Sequence, residues 1–260
     1  MPQYADLFDM RRKVALVAGG TGAIGGEMAL VLAEYGARVA VAGRSQADAE
    51  AFAARLGAAA GGEAMGIALD VTDAASVADA VAAVEARYGP VEVLINAAGT
   101  HIEQPAEELD LEAWDTVLDV NLRGAFILSQ AAARSAMVGG VGGSHIHVTS
   151  VRSNLGIRRG YAAYCASKGG LSILIKQLAT EWAPRRIRVN GIAPTFTRTP
   201  LVEGYLGDPA FYSALVNRIP LGRVCETADL AGIALFLASD ASAFITGQNI
   251  FVDGGVTATQ

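Results

Sequence analysis

The sequence has little of what marks secreted or membrane proteins. It contains two cysteines, Cys165 and Cys225, among 260 residues. Two cysteines cannot form the disulfide framework of a small secreted domain, and the N-terminal residues have no apolar core of a signal peptide. No apolar run reaches the roughly 18 residues that a membrane span needs. These absences predict a cytoplasmic protein without a membrane partner.

Basic charge is also scarce. Lys and Arg number 20 against 26 Asp and Glu, which gives a net charge of −6, and the basic residues form no long stripe. This pattern argues against a nucleic-acid partner. No Pro/Ser-rich linker, repeat or low-complexity tract divides the chain. The sequence therefore predicts a single domain over 1–260, with an N-terminal arm at 1–12.

What is present is an alternation of short apolar runs with longer amphipathic ones. The short runs predict strands at 14–18, 38–42, 64–69, 91–95, 144–149, 188–192 and 250–252. Helices are predicted at 23–35, 46–59, 73–88, 111–137 and 161–182. Continuously apolar strands are typical of a sheet covered on both faces. The pattern predicts an α/β fold, a doubly wound parallel sheet of the Rossmann type with helices on both faces.

Ligands of such sheets bind beyond the carboxyl ends of the strands. After the first strand, Gly20-x-Gly22-x-x-Gly25 matches the fingerprint of a dinucleotide site, in which backbone N–H groups at a helix start approach a pyrophosphate. A tight turn without a ligand is the alternative. The predicted cofactor contacts follow the strand ends: Gly19, Thr21, Gly22, Ile24, Gly25, Arg44, Asp70, Val71, Asn96, Ala97, Gly99, Tyr164, Lys168, Pro194, Thr197 and Thr199.

The end of the second strand bears on the choice of cofactor. Gly43-Arg44 stands where an NAD site usually carries an acid for the ribose hydroxyls, and a guanidinium suits a 2′-phosphate. NADP is therefore predicted in preference to NAD. Asp70, after the third strand, either accepts a hydrogen bond from the adenine amino group or caps the next helix, whereas a capping role is favoured for Thr72 and Asp73.

Tyr164 and Lys168 lie four residues apart in a predicted helix and so share one helical face. An ammonium near a phenol lowers its pKa from about 10 toward the range where it exchanges protons. The alternative is an ordinary surface pair. We expect Cys165, between them in sequence, to be a buried helix residue.

Several motifs occur together in one order along the chain. They are the glycine turn, Asn96-Ala97-Ala98-Gly99, Asn121, Ser150, Tyr164 with Lys168, and Asp253-Gly254-Gly255. In these motifs the chain resembles the short-chain dehydrogenase/reductase family from about residue 13 to residue 255. It departs from the family pattern in small residues, with Ala18 in place of Thr and Ala23 in place of Gly.

The resemblance implies an NAD(P)-dependent oxidoreductase with Asn121, Ser150, Tyr164 and Lys168 as catalytic residues. Tyr164 would exchange a proton with the substrate, and Lys168 would lower the phenol pKa and bind the nicotinamide ribose. Ser150 would hydrogen-bond the substrate oxygen, and Asn121 would anchor a water. Ser153 is the alternative serine, but Ser150 is favoured because it directly follows the fifth strand.

The predicted substrate contacts are His101, Ser150, Arg152 and Tyr164. Such a polar set favours a sugar, polyol or sugar acid as the substrate. Sequence segments such as Pro220-Leu221-Gly222-Arg223 resemble those of gluconate 5-dehydrogenase-like and related polyol dehydrogenases. The alternatives are a 3-oxoacyl-carrier-protein reductase and, from a different class, a non-catalytic cofactor-binding sensor. Residues 195–220 are called the flap segment below. The run from 200 to 221 predicts helices, which either close over the substrate and exclude water or are permanently packed.

By the same resemblance, the partners are a small-molecule substrate and further copies of the chain in a homotetramer, built through helices 111–137 and 161–182 and the last strand. No grouping of His, Cys and carboxylates resembles a metal site. His145 and His147 lie in a predicted strand, and we interpret them as packed or edge residues.

Overall fold

The computed structural model describes residues 4–200 and 202–259. Residues 1–3 of the predicted arm and residue 201 of the flap segment lie outside the described residues. A parallel seven-stranded sheet has the order β3-β2-β1-β4-β5-β6-β7. Its strands are β1 (Val14–Ala18), β2 (Arg38–Gly43), β3 (Ala64–Ala68), β4 (Val93–Asn96), β5 (Gly143–Val148), β6 (Ile187–Pro194) and β7 (Asn249–Val252). The predicted parallel α/β sheet is confirmed, and its order reverses between β1 and β4.

The strands alternate with helices that cover both faces. They are α1 (Ala23–Glu34), α2 (Gln46–Ala60), α3 (Ala74–Tyr88), α4 (Leu111–Leu118), α5 (Gly124–Val138), α6 (Ala162–Trp182), α7 (Glu203–Leu206), α8 (Pro209–Val216) and α9 (Ala231–Ala238). Among the described residues, no helix is long and apolar enough to cross a membrane.

Strand β1 shows how the core is divided. Its Val17 packs in one apolar cluster with Met28 of α1 and Leu235 of α9. Its neighbour Leu16 packs in the opposite cluster with Val81 of α3. Successive side chains of a strand point to opposite faces, so a fully buried strand joins two cores. The continuous apolar run in the sequence follows from this burial on both sides.

Two elements differ from the prediction. The predicted helix 111–137 is interrupted by a π-helical stretch over Asp119–Arg123, between α4 and α5. Helix α9 is absent from the prediction because its residues are apolar on every side, so they lack the helical period on which a prediction depends. The π stretch matters for the site because it contains Asn121, which is buried.

The chain start joins the body of the protein at Met10. The Met10 side chain is fully buried, and its N–H donates to the Tyr35 carbonyl at 3.0 Å. The second half of the predicted arm therefore packs against the end of α1.

Candidate active site

A cleft of about 540 Å³ opens at the carboxyl ends of β1, β4, β5 and β6. Most of the predicted site residues line it together, although they are far apart in sequence. These are Gly19, Thr21, Gly22, Ile24, Gly25, Ala97, Gly99, His101, Ser150, Arg152, Tyr164, Lys168, Pro194, Thr197 and Thr199. The reversal of strand order between β1 and β4 places the cleft where a doubly wound sheet binds ligands.

The glycine turn forms one wall of this cleft. Gly19 has φ +72°, a left-handed conformation that favours glycine. A Cβ on Gly25 would overlap the Gly19 carbonyl oxygen, so helix α1 can approach the turn only with glycine there. Gly22 is the N-cap of α1 and has no side chain with which to cap it. The first N–H groups of α1 are therefore available to an anionic group.

Lys168 lies deep in the cleft, one helical turn after Tyr164 on α6. Its side chain is only 4% exposed, and its Nζ donates to the Val148 carbonyl at 2.9 Å. The same Nζ lies 5.7 Å from the centroid of the Tyr164 ring. Burial lowers the pKa of Lys168 to about 8, because an ammonium loses its hydration there.

The pKa of Tyr164 shifts in the direction opposite to the one predicted. Burial raises the pKa of this phenol, while a hydrogen bond with Ser150 and the charge of Arg152 act to lower it. The predicted lowering by Lys168 is absent in this arrangement, because burial brings the pKa of Lys168 to about 8 and the amine loses its charge before the phenol ionises. Tyr164 is thus held in its neutral, proton-donating form.

Ser150 lies directly after β5, and its Oγ accepts the Arg152 N–H at 3.1 Å. The hydroxyl of Ser153 instead donates to the Ser150 carbonyl at 2.7 Å and accepts from Asn249 Nδ2 at 3.0 Å. Thr149 Oγ1 also donates to Asn249 Oδ1, at 2.6 Å. Ser150 therefore faces the cleft, and Ser153 supports it from behind through the edge strand β7.

Asn121 does not line the cleft but lies directly behind it. Its Nδ2 donates to the Thr100 carbonyl at 2.8 Å and to Ser167 Oγ at 3.0 Å, and its Oδ1 accepts the Thr100 N–H at 2.8 Å. A Cβ on Gly99 would lie 3.4 Å from Asn121 Oδ1 and 3.6 Å from Lys168 Nζ. The two polar groups thus flank Gly99 closely. Sequence reasoning missed Thr100 and Ser167 as partners of Asn121, although Ser167 directly precedes Lys168.

The substrate side of the cleft carries an aromatic group around Tyr164. The His101 ring lies 6.0 Å from the Tyr164 ring and 5.3 Å from the Tyr161 ring, between centroids. Tyr161 is a second tyrosine of this group. Burial raises its pKa as well, but it precedes α6 and has no Lys one turn later. His101 thus lies beside both phenols at the cleft.

Four predicted cofactor residues do not line the cleft. Arg44 is exposed at the end of β2, next to Gly43, on which Thr21 of the glycine turn packs. Asp70 accepts from the Thr72 N–H at 2.9 Å and the Thr72 hydroxyl at 2.7 Å, and these bonds lower its pKa. Asp70 therefore caps a turn here. The other two, Val71 and Asn96, are buried.

Asn96 and Asp73 have structural tasks. Asn96 Oδ1 accepts the Ala98 N–H at 3.1 Å and so shapes the loop after β4. Asp73 caps α3 by accepting the Ala75 N–H at 2.9 Å, which confirms the capping role predicted for it.

The flap segment contributes Thr195, Phe196, Pro200 and Val202 to the cleft, four contacts that the sequence analysis did not name. Helices α7 and α8 lie within it, and their rings form a small cluster. Phe211 lies 5.8 Å from Phe196 and 5.7 Å from Tyr205, between ring centroids. The predicted helical character of this segment is confirmed.

Comparisons with known proteins agree with this geometry. A family model described as enoyl-(acyl carrier protein) reductase matches residues 19–257. The chain is 42% identical over 256 residues to D-threitol dehydrogenase of Mycolicibacterium smegmatis, with 96% of this chain and 95% of the relative covered. It is 38% identical over 259 residues to gluconate 5-dehydrogenase of Gluconobacter oxydans, with 98% of each covered.

A solved structure shows the same relationship in three dimensions. It is a gluconate 5-dehydrogenase from Burkholderia cenocepacia J2315 in complex with NADP and tartrate. The TM-score is 0.94 at 36% sequence identity, over 99% of this chain and 100% of the other. The agreement extends over nearly the whole of each chain, and we conclude that this protein belongs to the short-chain dehydrogenase/reductase family.

Proposed function

We propose that the chain is an NAD(P)-dependent oxidoreductase that transfers a hydride between the nicotinamide and a secondary alcohol or ketone of a sugar, polyol or sugar acid. The observation that carries the proposal is the meeting of Tyr164, Ser150 and Lys168 in the cleft that the glycine turn borders. A cofactor-binding sensor without catalysis would not need a half-buried phenol and a buried amine side by side. The two dehydrogenases named above support the reaction class.

The residues present fit a dinucleotide. Gly19, Gly22 and Gly25 of the glycine turn line the cleft without side chains, and the uncapped N–H groups of α1 suit a pyrophosphate. Gly99 gives access to Lys168, which would hold the nicotinamide ribose. Thr197 and Thr199, after β6, would face the nicotinamide end. When bound, the cofactor supplies or accepts the hydride.

The protein's own part in the reaction is proton transfer and orientation. Tyr164 would donate its phenolic proton to a carbonyl oxygen, or as phenolate take the proton of an alcohol. Ser150 would hold the same substrate oxygen. Lys168, with a pKa lowered to about 8, exchanges protons readily near neutral pH. Asn121 fixes the loop of Gly99 and Thr100 that lies against Lys168, and a water held there would connect Lys168 to solvent.

NADP is the proposed cofactor, in preference to NAD. Arg44 is exposed beside the glycine turn, where a 2′-phosphate of the adenosine would lie. The Burkholderia cenocepacia relative was crystallised with NADP, which supports this choice. Both Thr72 hydrogen bonds go to Asp70 Oδ1, so Oδ2 would be available to the adenine amino group.

The flap segment would close the substrate side of the site. It contributes Thr195, Phe196 and Thr197 to the cleft, which His101 also lines, so a substrate bound there would lie between the flap segment and His101.

A homotetramer is proposed as the assembly. Phe126 of α5 is 40% exposed and Ile173 of α6 is 63% exposed, which supports pairing through these helices. Sedimentation as a monomer at micromolar concentration would contradict it.

The experiment that tests the function is a screen of polyols, sugar acids and β-keto thioesters with NAD(H) and NADP(H), followed by the absorbance of the reduced nicotinamide. Turnover of a polyol or sugar acid is expected, and turnover of the thioesters alone would instead indicate an acyl-carrier-protein reductase. Tyr164→Phe should then lower kcat about 10²- to 10⁴-fold while cofactor binding is retained. The matched control is Tyr35→Phe, which changes a half-exposed tyrosine at the end of α1. Unchanged turnover in Tyr164→Phe would rule out the proton-transfer role.

A further inference from the structure

A second cavity, of about 780 Å³, adjoins the cleft on its substrate side. Arg152, Thr195 and Phe196 line both spaces. Besides Arg152, the second cavity is lined by Arg158, Arg159 and Arg218. Within the described part of the chain, no Asp or Glu lines either space. The protein has a net charge of −6, and yet four guanidinium groups line this second cavity.

One of these arginines already has a counter-ion inside the protein. Arg159 binds Glu103 through two hydrogen bonds of 2.8 Å. Its guanidinium also lies 5.1 Å from the centroid of the Tyr205 ring and 5.9 Å from that of Phe211. Arg159 therefore fixes the flap segment against the loop of Glu103, and its charge is neutralised.

Arg152 has no such counter-ion among the described residues. Its side chain is 8% exposed, and its NH1 donates to the Gly156 carbonyl at 2.9 Å. No carboxylate of the described residues forms an ion pair with it. Burial lowers the pKa of Arg152, and the positive charge of Arg218 acts in the same direction. A buried cation beside a second cation is costly unless an anion joins them.

We propose that Arg152 and Arg218 bind an anionic group of the substrate, a carboxylate or a phosphate, at the end of the molecule away from the reacting carbon. The proposal rests on the oxidoreductase function above and narrows its substrate from a neutral polyol to an acidic one. Guanidinium groups suit both anions because each offers paired N–H donors to two oxygens.

The chain also fixes the distance between the two ends of such a substrate. The backbone N–H of Arg152 donates to Ser150 Oγ. A single turn of chain therefore joins Ser150, which would hold the reacting oxygen, to Arg152, which would hold the anion. Thr195 and Phe196 form the wall between the two spaces. A short polyol chain with a terminal acid would lie along this wall.

Matched ligands test the inference directly. D-Glucitol, D-gluconate and D-glucitol 1-phosphate share their internal hydroxyls and differ only at C1, and D-threitol with D-threonate forms a four-carbon pair. Binding to the whole chain saturated with NADPH, which cannot accept a hydride from these alcohols, is measured by calorimetry. We expect at least one anion to bind ten times more tightly than its neutral partner, and comparing gluconate with the phosphate identifies the group. If no anion binds more tightly than its neutral partner, the inference is overturned.

Variants locate the effect. Arg152→Gln should reduce the preference for the anion about tenfold, and Arg218→Gln, at an exposed position, about threefold. Arg152→Lys should restore part of it, and added salt should weaken it. Arg185→Gln is the control. Arg185 is exposed in the turn before β6, at the amino ends of the strands and away from the cleft. This variant should bind the ligands like the wild type.

The outcomes separate this inference from the proposed function. If both glutamine variants keep the wild-type preference, or lose affinity for neutral and anionic ligands equally, the inference is wrong. Arg218→Gln decides the matter if Arg152→Gln fails to fold. Arginine-dependent anion binding without turnover of any substrate would contradict only the oxidoreductase function. Turnover of neutral polyols without a preference for anions would contradict only the inference.

Discussion

At the scale of single residues, Lys168 carries a charge at a cost. Burial lowers its pKa to about 8, and its Nζ donates a hydrogen bond to the Val148 carbonyl. An amine that titrates near neutral pH can give and take protons, as a relay requires. The Tyr164 phenol is kept neutral by the same burial. The pair therefore suits carbonyl reduction as it stands, and alcohol oxidation needs a charge close to the phenol.

The choice between NADP and NAD also depends on one residue. Because Arg44 is exposed beside the glycine turn, Arg44→Gln should remove a charge-assisted contact with the 2′-phosphate. We expect the KM for NADP to rise about tenfold and the KM for NAD to stay within about twofold. Steady-state kinetics with both cofactors would measure this, with Arg55→Gln on the exposed side of α2 as the control. A wild-type enzyme that prefers NAD tenfold would contradict the prediction.

At the scale of elements, the π-helical stretch between α4 and α5 turns Asn121 toward the loop after β4. The extra residue in a π turn changes which side chains face inward, and such turns are frequent at functional sites. In this orientation, the Asn121 side chain hydrogen-bonds both backbone groups of Thr100 and the hydroxyl of Ser167. One side chain thus joins the β4 loop to α6, the helix that carries Tyr164 and Lys168.

Removing that connection should cost stability as well as rate. Asn121→Ala leaves the buried partners of three hydrogen bonds unpaired, and we expect the free energy of unfolding to fall by about 2–3 kcal/mol together with a lower kcat. Urea denaturation at a fixed protein concentration would measure the first effect. Thr116→Ala, at an exposed position of α4, should leave both unchanged. Wild-type stability in Asn121→Ala would show that these bonds contribute little.

Elements were also the scale at which the sequence was most and least informative. The βα alternation predicts the sheet because fully buried strands must be continuously apolar, and the strand ends predict most of the residues that line the cleft. The π stretch carries no proline or glycine that would mark a break before Asn121, and α9 has no polar face. The hydrogen bonds of Asp70 and the direction in which the pKa of Tyr164 shifts depend on packing. No sequence motif therefore predicts them.

At the scale of the whole molecule, two buried histidines tie stability to pH. His145 and His147 are fully buried in β5. Burial lowers the pKa of His145 to about 3 and that of His147 to about 4. His147 contacts Ser129 Oγ at 3.0 Å, whereas His145 packs edge-on against Trp182 with centroids 5.6 Å apart. Both rings are therefore neutral in the folded protein.

The sign of the pH effect follows from the unfolded state. An unfolded histidine has a pKa near 6.5, so below that pH the unfolded chain binds protons that the folded chain refuses. The free energy of unfolding should fall as the pH drops from about 6.5 toward 4, by up to about 1.4 kcal/mol per pH unit for each histidine. His145→Leu should reduce this slope in urea titrations at fixed protein concentration. An unchanged slope between pH 4.5 and 6.5 would contradict the assignment.

The side chain of Asn249 has a practical consequence for handling the protein. It belongs to the edge strand β7, near the end of the chain, and holds Thr149 and Ser153 on either side of Ser150. A protease or a bulky purification tag that loosens the last strand would release this support while most of the sheet stays paired. Such a preparation would keep its circular dichroism and lose its turnover. An affinity tag is therefore better placed at the N-terminus.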